Sequence, residues 1–317
     1  MFIPAPSDTD SYDEFGFLGD VAKDEGVDPA SVLPCERIDV KLDSGAVSSV
    51  IKWGSTAPEF TFLHGGGQNA HTWDTLLVLM GVPAVCIDLP GHGHSDRRED
   101  RDYGPWHNAL VAAETVEKLG VLSSTLVGMS LGGATAIRLA GQRSDLFHHN
   151  VIIDATPSVT SLGRPMTPEQ RGSVALIGGP PIYESFEAMA DATIALSPFR
   201  TPEAVRRGVR HNSVRLEDGT WRWRYDLFPR ESDSPEPERN WLDFDELWKD
   251  VANTTKPTLL VQGGESVYVL PADVEKFKET LPSVRHEVVA GAGHAVQSDQ
   301  PAALKILIED FVGGGSK

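Results

Sequence analysis

Cysteine is scarce in this chain: Cys35 and Cys86 are the only two. They lie in unrelated segments without C-x-x-C spacing, which excludes a disulfide framework and a cysteine-ligated zinc site, and both are read as free thiols. Basic residues are few against acidic ones, 28 to 46, for a formal charge of −18. That sign, with no cluster of Lys or Arg, excludes nucleic acid and anionic membrane as partners and suits a small-molecule substrate of neutral or apolar character. Nowhere do 18 uncharged apolar residues run together, so no membrane-spanning segment is expected. The opening MFIPAPSDTDSYDEFGF has neither the basic nor the apolar region of a secretory signal, and a cytoplasmic location is the expectation.

What is present is an ordinary globular composition, 40% hydrophobic and 23% charged, in a length that suits an α/β core with one insertion. Residues 1–34 form an acidic extension with one weakly apolar stretch, Phe15 to Val21, able to make a short helix on the surface. Arg37 to Leu42 and Ala46 to Trp53 alternate like strands across Asp43-Ser44-Gly45, a hairpin turn. Short apolar runs then alternate with helical segments, the pattern of a parallel sheet with crossover helices. Strands are predicted at Glu59–Leu63, Ala84–Leu89, Ser124–Gly128, Asn150–Asp154, Thr258–Gly263 and His286–Ala290. Helices are predicted at Thr72–Met80, Trp106–Leu119, Leu131–Gln142, Pro271–Leu281 and Pro301–Val312. The core is thus expected at 35–157 and 244–312. The alternation stops over 158–243, which is read as an inserted cap with helices at Ser185–Ala195 and Pro202–His211 and a hairpin at Glu217–Trp223. Residues 313–317 are read as a flexible tail.

Three motifs carry chemistry. Gly128-Met129-Ser130-Leu131-Gly132 is a G-x-S-x-G sequence between a strand and a helix. This spacing suits a sharp turn that presents Ser130, with glycines where side chains would clash, and aims the amide of Leu131 at a developing oxyanion. His64-Gly65-Gly66-Gly67 follows a strand and lets backbone approach a reacting carbonyl, so Gly66 or Gly67 can supply a second N–H donor. Without G-K-[ST], phosphate binding is not indicated. Gly291-Ala292-Gly293-His294 follows the last strand, and an imidazole there can exchange a proton with Ser130 at neutral pH.

Together with Asp88-Leu89-Pro90-Gly91-His92-Gly93-His94-Ser95, these motifs resemble the α/β-hydrolase superfamily over residues 37 to 312. The resemblance implies an eight-stranded, mostly parallel sheet whose second strand is antiparallel, with a lid inserted after the sixth strand. It also implies a serine hydrolase that cleaves an ester, lactone or related carbonyl and needs no cofactor. The aspartate that many members carry after the seventh strand is replaced here by Ser266. Two carboxylates are therefore candidates: Asp154, which some relatives' placement of the acid after the sixth strand favours, and Glu265. A cofactor-independent dioxygenase and a non-enzymatic small-molecule receptor are the alternatives within this fold.

His64, Met129, Trp73, Trp221 and Trp223 are candidate pocket residues. His92 and His94 lack a third ligand at metal spacing, so no metal site is assigned. His148-His149 is read as complementing a helix end.

Overall fold

The computed structural model describes residues 2–159, 180–226 and 246–314. Its main sheet has eight strands: β1 (Cys35–Lys41), β2 (Val47–Trp53), β3 (Phe60–Leu63), β4 (Ala84–Ile87), β5 (Ser124–Met129), β6 (Phe147–Ile153), β7 (Thr258–Gly263) and β8 (Arg285–Val289). Their spatial order is β1-β2-β4-β3-β5-β6-β7-β8. β2 runs antiparallel to both β1 and β4, and every other pairing is parallel. β3, β4 and β5 are buried at every position, as unbroken apolar runs must be when helices cover both faces of a parallel sheet.

Those helices divide between two apolar layers. On one face, α3 (Pro105–Lys118), α4 (Leu131–Gln142), α7 (Leu247–Asn253) and α8 (Pro271–Thr280) bury Val116, Ile137, Trp248 and Phe277. On the other, α1 (Leu18–Asp24), α2 (Asp74–Met80) and the final helix α9 (Pro301–Gly314) bury Val21, Leu76 and Ile308. Between β6 and β7, residues 180–226 make a smaller unit with its own three-stranded antiparallel sheet. Its helices α5 (Phe186–Ile194) and α6 (Pro202–His211) help enclose a third apolar cluster that includes Met189, Val209 and Trp223.

The predicted elements differ from the observed ones mainly at their ends. A 3-10 turn, Ala70–Trp73, precedes α2, the last helix runs through Gly314 into the expected tail, and residues 315–317 lie outside the described set. Of the expected edges of the insertion, 158 lies just before the undescribed stretch 160–179, while 243 falls within the stretch 227–245 and so outside the described residues. His148 and His149 sit within β6, so the helix-end role does not apply to them.

Residues 2–24 do more than cover the surface. Phe2–Ile3 pairs with Arg97–Arg98. Asp8 joins the inserted unit through Arg210 at 3.0 Å and Arg224 at 3.2 Å and accepts the Arg215 N–H at 3.1 Å, while the Tyr12 ring lies 4.2 Å beneath the Arg210 guanidinium.

Candidate active site

Ser130 stands between β5 and α4 with φ 53° and ψ −114°, a left-handed φ that an L-residue holds only when its surroundings compel it. Two close approaches do so. A Cβ on Gly128 would lie 2.2 Å from the Gly132 carbonyl oxygen, and one on Gly132 would lie 2.2 Å from the Leu63 carbonyl oxygen. Glycine at both positions lets the turn close against β3. The turn is pinned from beneath by the Ser130 N–H, which donates to the Ile153 carbonyl at 3.0 Å.

His294, on the loop after β8, is 6% exposed. Its Nε2 lies 2.9 Å from Ser130 Oγ and its Nδ1 lies 2.6 Å from Asp154 Oδ2. The Tyr268 ring stacks on the imidazole, centroid to centroid 4.0 Å. Asp154, directly after β6, is wholly buried and also has a left-handed φ, 46°. Its Oδ1 accepts the Gly263 N–H at 3.0 Å, and its Oδ2 takes the Ser266 hydroxyl as well as the imidazole. Ser266, at the usual position of the acid, thus serves as a donor to the carboxylate one strand away. Glu265 is solvent-exposed, and its backbone N–H closes the loop onto the Ala292 carbonyl at 2.9 Å; the structure brings Asp154, and not Glu265, to His294.

The glycine loop lies against this serine: a Cβ on Gly65 would fall 3.3 Å from Ser130 Cβ and 2.6 Å from Met129 Sδ. Its shape is held by two buried histidines. His64 Nε2 accepts the Leu89 N–H at 2.9 Å, which places its proton on Nδ1, facing the Gly65 carbonyl at 2.8 Å. His92 Nε2 accepts the Gly67 N–H at 3.1 Å, and its Nδ1 faces the Pro90 carbonyl at 3.0 Å. Burial pushes both imidazoles down, His92 to about 3, so both are neutral, as an accepting nitrogen requires. The Gly67 amide is therefore engaged and is not an oxyanion donor. The amides of Gly66 and Leu131, both half-buried, have no partner among the described residues.

Several expected pocket residues lie elsewhere. His64 is enclosed between two loops. Trp73 is fully buried and packs on Phe62 at 4.9 Å. Trp221 and Trp223 belong to the apolar cluster of the inserted unit, where Trp223 stacks on Tyr225 at 5.7 Å. Met129 is 1% exposed beneath the glycine loop. What the sequence reading missed is the hold of the inserted unit on the core: Asn212 donates through Nδ2 to the Gly67 carbonyl, and Asn69 donates to the His211 carbonyl at 2.8 Å. A cavity of about 110 Å³ lies along this seam, lined by Gln68, Asn69, His71 and Asp74 from the core and by Arg200 and His211 from the insertion.

Comparison with known proteins agrees with this architecture. The chain is 44% identical over 293 residues to the esterase Rv0045c of Mycobacterium tuberculosis, covering 92% of this chain and 93% of that one. A solved structure of that esterase, described together with its inhibition by transition metals, superposes with a TM-score of 0.81 at 42% identity, over 96% of this chain and all of the other. The 2-(acetamidomethylene)succinate hydrolase of Mesorhizobium japonicum is 25% identical over 285 residues, 89% of this chain and 98% of that protein. The model of the alpha/beta hydrolase family matches residues 62–305, and with the fold and these relatives it shows that the chain belongs to that family.

Proposed function

We propose that this ester-cleaving hydrolase works through an acyl-enzyme formed on Ser130. The observation that carries the reading is the relay of 2.9 Å and 2.6 Å from the Ser130 hydroxyl through His294 to Asp154. His294 Nε2 takes the hydroxyl proton as Oγ attacks the ester carbonyl. Asp154 holds the opposite ring nitrogen, fixing the tautomer that leaves Nε2 free and stabilising the imidazolium that forms. Negative charge on the carbonyl oxygen is met by the amides of Leu131, at the N-terminus of α4, and Gly66. His294 then protonates the leaving alcohol, and the same groups activate water to cleave the acyl-enzyme.

The inserted unit stands over the carboxyl ends of the strands as a cap, and the substrate is a small neutral or apolar ester or lactone. A cytoplasmic location is part of the same reading; among the described residues no helix is long and apolar enough to cross a membrane. The relatives named above are hydrolases, so the dioxygenase and receptor readings gain no support from them.

The test is a panel of p-nitrophenyl acyl esters of graded chain length, with lactones alongside, against wild type and Ser130→Ala. The variant should lose at least about 10³-fold in kcat with an unchanged melting temperature. Retention of most activity would rule out Ser130 as nucleophile.

A further inference from the structure

On the seam between core and inserted unit, two histidines and an aspartate that take no part in the relay from Ser130 to Asp154 face one another in the interior. We propose that His71, Asp74 and His211 bind one transition-metal ion of the zinc class, joining the insertion to the core. Each offers a ligand atom, and the three atoms lie within 4.8 Å of one another. His71 Nδ1 is 2.8 Å and His211 Nε2 is 3.7 Å from Asp74 Oδ2. Metal bonds of 2.0–2.2 Å in a tetrahedron set ligand atoms about 3.4 Å apart, so the ion needs adjustments of about an ångström. The larger adjustment is at His211, whose ring stacks almost parallel to that of His71, 3.8 Å and 15°, and must tilt to aim its lone pair.

Three further observations point the same way. First, Asp74 is 4% exposed, and its Oδ1 has no hydrogen-bond partner among the described residues, a costly state for a buried carboxylate oxygen. Second, each imidazole has its far nitrogen engaged: His71 Nε2 faces Glu14 Oε2 at 3.3 Å, and His211 Nδ1 faces the Tyr12 hydroxyl. This outer layer fixes the tautomer of metal-binding histidines and orients their rings. Third, all three residues line the cavity of about 110 Å³, which has room for the ion and the water that completes its shell. Two imidazoles with one carboxylate select zinc, copper or nickel over magnesium or calcium.

The experiment uses the full chain without a tag, stripped with chelator and titrated with Zn²⁺ against a chromophoric competitor. Expected are one tight site per chain and a melting temperature that rises with Zn²⁺, with neither effect from Mg²⁺. His211→Gln and Asp74→Asn should each weaken binding tenfold or more, and Glu14→Gln about tenfold. With Cu²⁺, electron paramagnetic resonance should show nitrogen coupling from two imidazoles in wild type and from one in His211→Gln or, should that variant fail to fold, in His71→Gln. The proposal is overturned if wild type takes up no stoichiometric Zn²⁺, if the substitutions leave affinity unchanged, or if the nitrogen pattern survives loss of either histidine.

Discussion

Exchanging the carboxylate of Asp154 for an amide keeps its shape but presents an N–H₂ or a weak acceptor to His294 Nδ1, favouring the wrong tautomer. Asp154→Asn should therefore lower kcat by about 10³- to 10⁴-fold, while Glu265→Gln, an exposed change, should stay within about twofold; equal losses in steady-state assays would sink the assignment. That Asp154 would face His294 was legible only through the resemblance, which in some relatives sets a carboxylate after the sixth strand, and Glu265 stood beside it as an alternative. The loss of Gly67 as a donor was not legible, since it depends on where His92, 25 residues away, meets the loop. A second buried carboxylate, Asp88, is fully enclosed. Burial raises its pKa, but Arg37 at 2.8 Å and the backbone N–H groups of His94 at 2.9 Å and Ala70 at 2.7 Å favour the anion more strongly, and the net shift is well below the usual range. A depressed folded pKa stabilises the fold above the unfolded value, near 3.8, and that contribution is lost as pH falls through the folded one. Urea melts from pH 5 to pH 2 should show a shallower loss of stability for Asp88→Asn than for wild type, although the variant is weaker at pH 7.

At the scale of elements, the segment before β1 acts as a strap. Asp8 faces Arg210 and Arg224, whose side chains are 10% and 2% exposed, and removing it leaves two enclosed guanidinium groups short of a carboxylate. Asp8→Ala should lower the melting temperature by at least about 2 °C and hasten proteolysis within residues 180–226; unchanged cleavage there would mean the strap holds nothing. The main strands and long helices were readable because periodicity and proline or glycine at their ends mark them. The strap was not, because a two-residue strand such as Phe2–Ile3 has no period and its ionic partners lie some 200 residues away. Helix α7 was also missed: seven residues beside the insertion give too short a pattern. The tryptophans of the insertion were misjudged for a related reason. Aromatic residues near a site look like a binding wall until the unit is seen to need a core of its own.

For the whole molecule, the formal charge of −18 sets the field through which any ester approaches. Neutral esters should give kcat/KM values nearly independent of ionic strength, cationic ones should decline as salt is added, and anionic ones should improve. A neutral substrate with strong salt dependence would place a local field at the site that the net charge does not describe. The family was legible at this scale because three motifs fall in the order that one sheet can gather at its edge.

Because the carboxylate that faces His294 is Asp154, in the turn after β6, the loop after β7 presents no carboxylate to that imidazole. Apart from Ser266, which donates to that carboxylate, and Tyr268, which stacks on His294, its residues are released from selection for chemistry. Glu265 and Val267 should drift freely among descendants of this chain, and new specificities can be tried there without disturbing turnover.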